Sequence, residues 1–102
     1  MVEKMGPQRG AKMPTADEFR EALYGCFYEA FKDHRSTVEV NAGELHRRLG
    51  GYPGPDHRMP LCCRVMRELI DQAAGDVILN EPPSGQGASL TIRYVLPRRE
   101  PL

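Results

Sequence analysis

Residues 76–96 read DVILNEPPSGQGASLTIRYVL, and this stretch decides the fold. Its second half alternates strictly. Leu90, Ile92, Tyr94 and Leu96 fall on one side and Thr91, Arg93 and Val95 on the other, which is the period of a half-buried strand. Pro97 stops the run, because proline has no N–H to give a ladder. Residues 76–81, with Val77 and Leu79 facing one way, read as a second strand. Pro82, Pro83, Ser84, Gly85, Gln86 and Gly87 form the turn between them. An isolated hairpin is marginal in water, so its apolar side must cover something else in the chain.

Working outward, the residues on the N-terminal side supply helices. Pro60 suits the first turn of a helix, where its missing N–H has no partner to lose. Leu61, Cys62, Val65, Met66, Leu69 and Ile70 then make one apolar stripe that runs toward Gly75. Before it, Asn41 and Glu44 have capping-box spacing, with Val40 and Leu45 at the staple positions. They predict a helix over residues 42–49, stopped by Gly50 and Gly51. Residues 37–40 are alternating and β-branched, a short strand that can join the hairpin and set Glu39 opposite Arg93. Thr15 and Glu18 form a further capping box. Phe19, Leu23, Cys26, Phe27, Ala30 and Phe31 recur at helical steps until residues 33–36 end the first helix.

The expected class is therefore α+β, with a three-helix core under a small three-stranded antiparallel sheet, in the order helix-strand-helix-helix-strand-strand. It occupies residues 15–97, between a disordered tail at 1–14 and a short tail at 98–102. This element order resembles the winged-helix family, a helix-turn-helix with a hairpin appended. The resemblance implies that the third helix enters a major groove while the second crosses the phosphate backbone. One departure is the ten-residue connection over residues 50–59, where a helix-turn-helix usually has three or four. Tyr52 and the prolines in it read as residues that pack the loop in place. A second resemblance is local. AGELHRRLGGYPGPDHRMPLCCRVM (residues 42–66) and GASLTIRY (residues 87–94) look like blocks in a group of small prokaryotic proteins, found beside restriction-type nuclease domains. It implies a DNA-related setting and no catalytic residue.

Composition bounds the function. The 102 residues suit one domain. No apolar run approaches the ~20 residues of a membrane span, and the N-terminal residues lack the apolar stretch of an export signal. A cytoplasmic protein with no membrane partner is expected. Three cysteines, two of them adjacent, do not make a disulfide framework. Formal net charge is zero, which excludes the strongly basic class of nucleic-acid binders. The charge is nevertheless uneven. Residues 15–35 carry Asp17, Glu18, Glu21, Glu29 and Asp33, whereas residues 44–67 carry Arg47, Arg48, Arg58, Arg64 and Arg67.

Those arginines define the candidate nucleic-acid-binding set: Arg47, Arg58, Arg64 and Arg67, with His57. Arginine suits bidentate contacts to phosphate or guanine. Arg64 and Arg67 lie one turn apart on the side of the third helix away from the apolar stripe. The alternative there is a solvated face on which they pair with Glu68 or Asp71. Arg58 and His57 flank the start of that helix, where donors and dipole attract anions unless Asp56 caps it. Arg47 and Arg48 diverge by about 100° on their helix, so at most one points optimally. His46 beside them reads as a packed histidine at the core edge.

No metal or cofactor is expected, since His34, His46, His57, Cys26, Cys62 and Cys63 lack the paired spacing of zinc ligands. No enzymatic activity is expected either. Cys63 is the one residue that raises the question, as a thiol read as partly outward near a helix N-terminus, which would lower its pKa. Duplex DNA is the leading partner. Against it stands a hairpin turn with no lysine or arginine over residues 82–89. The competing expectation is a protein-interaction module, through an exposed edge strand or a homodimer through Tyr24 and Tyr28 on the first helix.

Overall fold

The computed structural model describes residues 14–50 and 58–98. Its elements run α1 (Ala16–Lys32), β1 (Thr37–Asn41), α2 (Ala42–Leu49), α3 (Met59–Glu68), a 3-10 turn (Gln72–Ala74), β2 (Val77–Asn80) and β3 (Thr91–Val95). Among the described residues this is an α+β fold of three α-helices and one antiparallel sheet in the order β1-β3-β2.

The most regular alternation in the chain became the central strand. Leu90, Ile92 and Tyr94 are fully buried, and burial stabilises by roughly 1.5–3 kcal/mol for each large apolar side chain. Glu39 pairs with Arg93 across β1 and β3, the register the alternation allows. On the other flank Val77 pairs with Arg93 and Ile78 with Ile92, and a bulge then shifts the register before Asn80 meets Thr91. Val77 and Leu79 occupy the outer side of this edge strand and are exposed.

Local chemistry fixes the helix ends. The Glu18 amide donates to Thr15 Oγ1 at 3.2 Å while the Thr15 amide donates to Glu18 Oε1 at 2.9 Å, a complete capping box. Phe19, Leu23, Phe27 and Ala30 face inward. Phe31, expected among them, is 53% exposed. Phe27 stands at the edge of the buried stripe, and Phe31, one turn later, lies about 40° further round toward solvent. The helix stops in a Schellman motif, in which the His34 amide donates to Phe31 O and the Arg35 amide to Ala30 O.

Asn41 caps α2 through its Oδ1, which accepts from the Glu44 amide at 3.1 Å. The preceding amides in that turn point at the segment leading into β3. Ala42 N–H donates to Leu90 O at 2.8 Å and Gly43 N–H to Ala88 O at 3.0 Å. Glycine eases this approach, because a Cβ on Gly43 would lie 3.1 Å from the Ala88 Cβ, closer than ordinary van der Waals contact.

α3 buries Met59, Cys62, Cys63, Val65 and Met66. It ends at Glu68 and does not run to Gly75 as the apolar pattern predicts. Two aspartates provide the alternative. Asp76 Oδ2 accepts the Asp71 amide at 2.9 Å, and Asp71 Oδ1 accepts the Ala74 amide at 3.3 Å, so side chains replace the helical ladder. Leu69 and Ile70 still pack against the core. The Tyr94 hydroxyl donates to Met66 O at 2.8 Å and ties α3 to the central strand.

Arg98 departs most from its expected place in a tail. Its guanidinium donates to Leu69 O at 2.7 Å and to Val95 O at 3.2 Å. It also lies over the Phe27 and Tyr94 rings, 4.9 and 5.2 Å from their centroids, in the range of cation–π attraction.

Candidate functional site

The face to which the arginines were expected to contribute is built by α2 and α3. One partly buried contact joins these helices where their basic residues emerge. His46 is fully buried, with its ring edge-on to Phe19 at 5.0 Å. Its Nε2 accepts the Arg58 amide at 2.8 Å, so the neutral ring carries its proton on Nδ1. The packed histidine expected from sequence is therefore also the clamp between the end of α2 and the start of α3.

Around that clamp the arginines separate into two groups. Arg47 is exposed on the last turn of α2. Arg48 is exposed as well, but it lines the groove between α1 and β1, with Cys26 and Glu29. The two neighbours thus diverge as helical geometry demands. Arg58 is the N-cap residue of α3 and makes no side-chain cap hydrogen bond. Its Nη1 reaches Pro14 O at 3.4 Å. Arg64 stands on the open side of α3 with 64% of its side chain exposed, and its Nε lies 3.9 Å from Glu68 Oε2. An exposed i,i+4 pair of this kind contributes only about 0.3–0.5 kcal/mol.

Arg67 differs from the outward pairing with Arg64 that its spacing suggested. Its Nη2 donates to Glu81 Oε2 at 3.1 Å and to Gly85 O at 2.7 Å. The guanidinium holds the hairpin turn against α3. One turn earlier, the Cys63 thiol donates to Gly87 O at 3.5 Å. This side of α3 is therefore covered by the turn over residues 82–89. Sequence spacing alone could not reveal that, since both acceptors lie on the far side of β2. His57, Tyr52 and Asp56 lie outside the described residues.

Cys63 also overturns its own expectation. It is fully buried, and burial raises its thiol pKa, against smaller lowering effects of the Gly87 hydrogen bond and the Arg67 charge. Cys62 Sγ lies 3.6 Å from Ala42 O, and burial pushes its pKa up to about 12. Neither has the character of an activated nucleophile.

Two further arginines outside this set are paired by the fold. Arg20 meets Asp17 at 2.7 Å and Glu68 at 3.3 Å, and Arg98 meets Asp76. Among the described residues, no three His, Cys, Asp or Glu side chains are gathered to hold a metal ion. No helix among them is long and apolar enough to cross a membrane. Comparison with protein-family models, with curated proteins and with solved structures found no match to this chain.

Proposed function

We propose that this chain is a non-catalytic winged-helix domain that binds duplex DNA through the joined ends of α2 and α3. The observation that carries the reading is the hydrogen bond from the Arg58 amide to the buried His46 ring. It holds the helix turn bearing Arg47 against the start of the helix bearing Arg58 and Arg64. The antiparallel order β1-β3-β2 under three helices supports the winged-helix reading. In that architecture Arg64 approaches base edges or phosphates from α3. Arg47 and Arg58 contact the flanking backbone. Arg67 positions the wing, and its charge stays with Glu81 and Gly85.

With Arg47, Arg58 and Arg64 each on a phosphate, the electrostatic term is modest. Affinity then falls with salt at a log–log slope of about −2.7, from roughly −0.9 per neutralised phosphate. Fluorescence anisotropy of a labelled duplex at several salt concentrations measures it. An absence of binding at low salt, or a slope near zero, rejects the proposal.

A further inference from the structure

The outward side of α1 carries a pattern that matches its own reverse. At 3.6 residues per turn, Asp17, Glu21, Tyr24, Gly25, Tyr28, Phe31 and Lys32 share one side of this helix, opposite Phe19, Leu23, Phe27 and Ala30. Read along the helix, the side is acidic, then aromatic around a glycine, then aromatic and basic. Tyr28 is 63% exposed and Phe31 53%, the two most exposed large apolar side chains among the described residues. Leu96 and Pro97 continue this surface beside Tyr24 and Phe31, around a hollow of about 200 Å³.

Gly25 is an independent pointer. Glycine is a poor helix former, surpassed in this only by proline, and here it sits in the middle of a 17-residue helix. The described fold does not need it, since among the described residues no heavy atom lies within 4 Å of where its Cβ would be. The space over Gly25 is open on the same side as Tyr28.

We propose that a second copy of this chain docks on this side, α1 against α1 and antiparallel, about a two-fold axis midway between Gly25 and Tyr28. In that arrangement Tyr28 of each copy lies over Gly25 of the other. Glu21 of each meets Lys32 of the other, since both residues sit on the same flank of the stripe as Gly25. Tyr24 and Phe31 meet on the opposite flank. The surface is isologous, as a two-fold dimer demands, and the paired helix dipoles run in opposite directions. Lys32 Nζ is already 5.3 Å from the centroid of its own Tyr28 ring, so the cation lies beside the aromatic patch. The proposal does not rest on DNA binding.

Sedimentation equilibrium of the full chain without nucleic acid tests it. The expected result is a monomer–dimer equilibrium whose dissociation constant rises at least about tenfold for Glu21→Lys alone and for Lys32→Glu alone, as like charges face each other. The double variant E21K/K32E restores it to within about threefold, and so does an equimolar mixture of the two single variants. Gly25→Leu weakens the dimer while helical circular dichroism is retained, which separates a blocked interface from a misfolded chain. A monomer at all concentrations up to the millimolar range overturns the proposal. So does a dimer unaffected by Gly25→Leu and by both charge reversals, or one broken by Val77→Lys on the β2 edge but not by these changes.

Discussion

Asp76 and Arg98 form a buried ion pair, with Arg98 Nη1 3.0 Å from Asp76 Oδ2 and the two side chains 10% and 0% exposed. The carboxylate joins three pieces of chain, because it also accepts the Asp71 amide and, at 2.7 Å, the Val95 amide. Such a pair stabilises little against an apolar replacement of both partners, but removal of one partner strands the other charge. Arg98→Met therefore loses about 3–5 kcal/mol of stability. The combined change Asp76→Asn with Arg98→Met loses less than the sum of the single changes, because the charge that needed a partner is gone. Urea midpoints of the four proteins close the cycle. Additivity within about 0.5 kcal/mol would show that the pair is not coupled.

How far the sequence is legible follows from the range over which each signal acts. The Thr15–Glu18 box, the Asn41 cap and the alternation through Leu90, Ile92 and Tyr94 are local, and they predict α1, α2 and β3 closely. Even the Glu39–Arg93 register followed from alternation on two strands. The end of α3 was not legible. It depends on Asp76 reaching back to Asp71, while the apolar residues Leu69 and Ile70 continue the helical pattern past that point. The partners of Arg67 and Arg98 are not legible for a related reason. A guanidinium's position on a helix or in a terminal segment gives its direction of departure. It does not give the carbonyls of Gly85 or Leu69 that receive it after the chain has turned twice.

Arg64 and Arg67 should separate in a salt titration. Replacement of Arg64 by alanine removes an ionic contact, so binding weakens and the log–log slope becomes shallower by about 0.9. Arg67→Ala instead frees the turn that Glu81 and Gly85 hold to α3. Its affinity drops with the slope retained, and amide hydrogen exchange accelerates across residues 82–89. Equal changes in slope for the two variants would place Arg67 on the phosphate backbone and reject its role in holding the hairpin.

The buried thiols set a limit on alkaline stability. The folded pKa of Cys62 is raised by desolvation, from 9.0 to about 12, and Cys63 is shifted in the same direction. Above pH 9 the unfolded chain therefore releases these protons first, and the native state binds more protons than the unfolded one. Stability is fully present below pH 9 and falls as pH rises toward the folded pKa. The slope is at most about 1.4 kcal/mol per pH unit for each thiol. Tyr94, also raised chiefly by burial, adds to the loss at still higher pH. Denaturation midpoints at pH 8 and pH 10.5 should drop less for Cys62→Ala than for the parent chain, although the variant is less stable at pH 8. Parallel losses in the two proteins would contradict the assignment. Thiol labelling at neutral pH gives a second check, with half-buried Cys26 modified before Cys62 and Cys63.

His34 offers a gain in stability without any new contact. It is the non-glycine residue with positive φ among those described, at +63°. It occupies the C′ position of the Schellman motif that ends α1, where glycine is usual because a Cβ is crowded in the left-handed region. The backbone bonds of the motif involve the amides of residues 34 and 35 and leave the imidazole out. The side chain is exposed. His34→Gly keeps both bonds and relieves the crowding, at the cost of a more flexible unfolded chain. The expected net gain is about 0.5–1 kcal/mol, read as a higher urea midpoint with an unchanged m value. His34→Val, whose β-branch is least tolerant of this conformation, should shift the midpoint the other way. If valine and glycine prove equally stable at this position, α1 does not end in the left-handed turn described here.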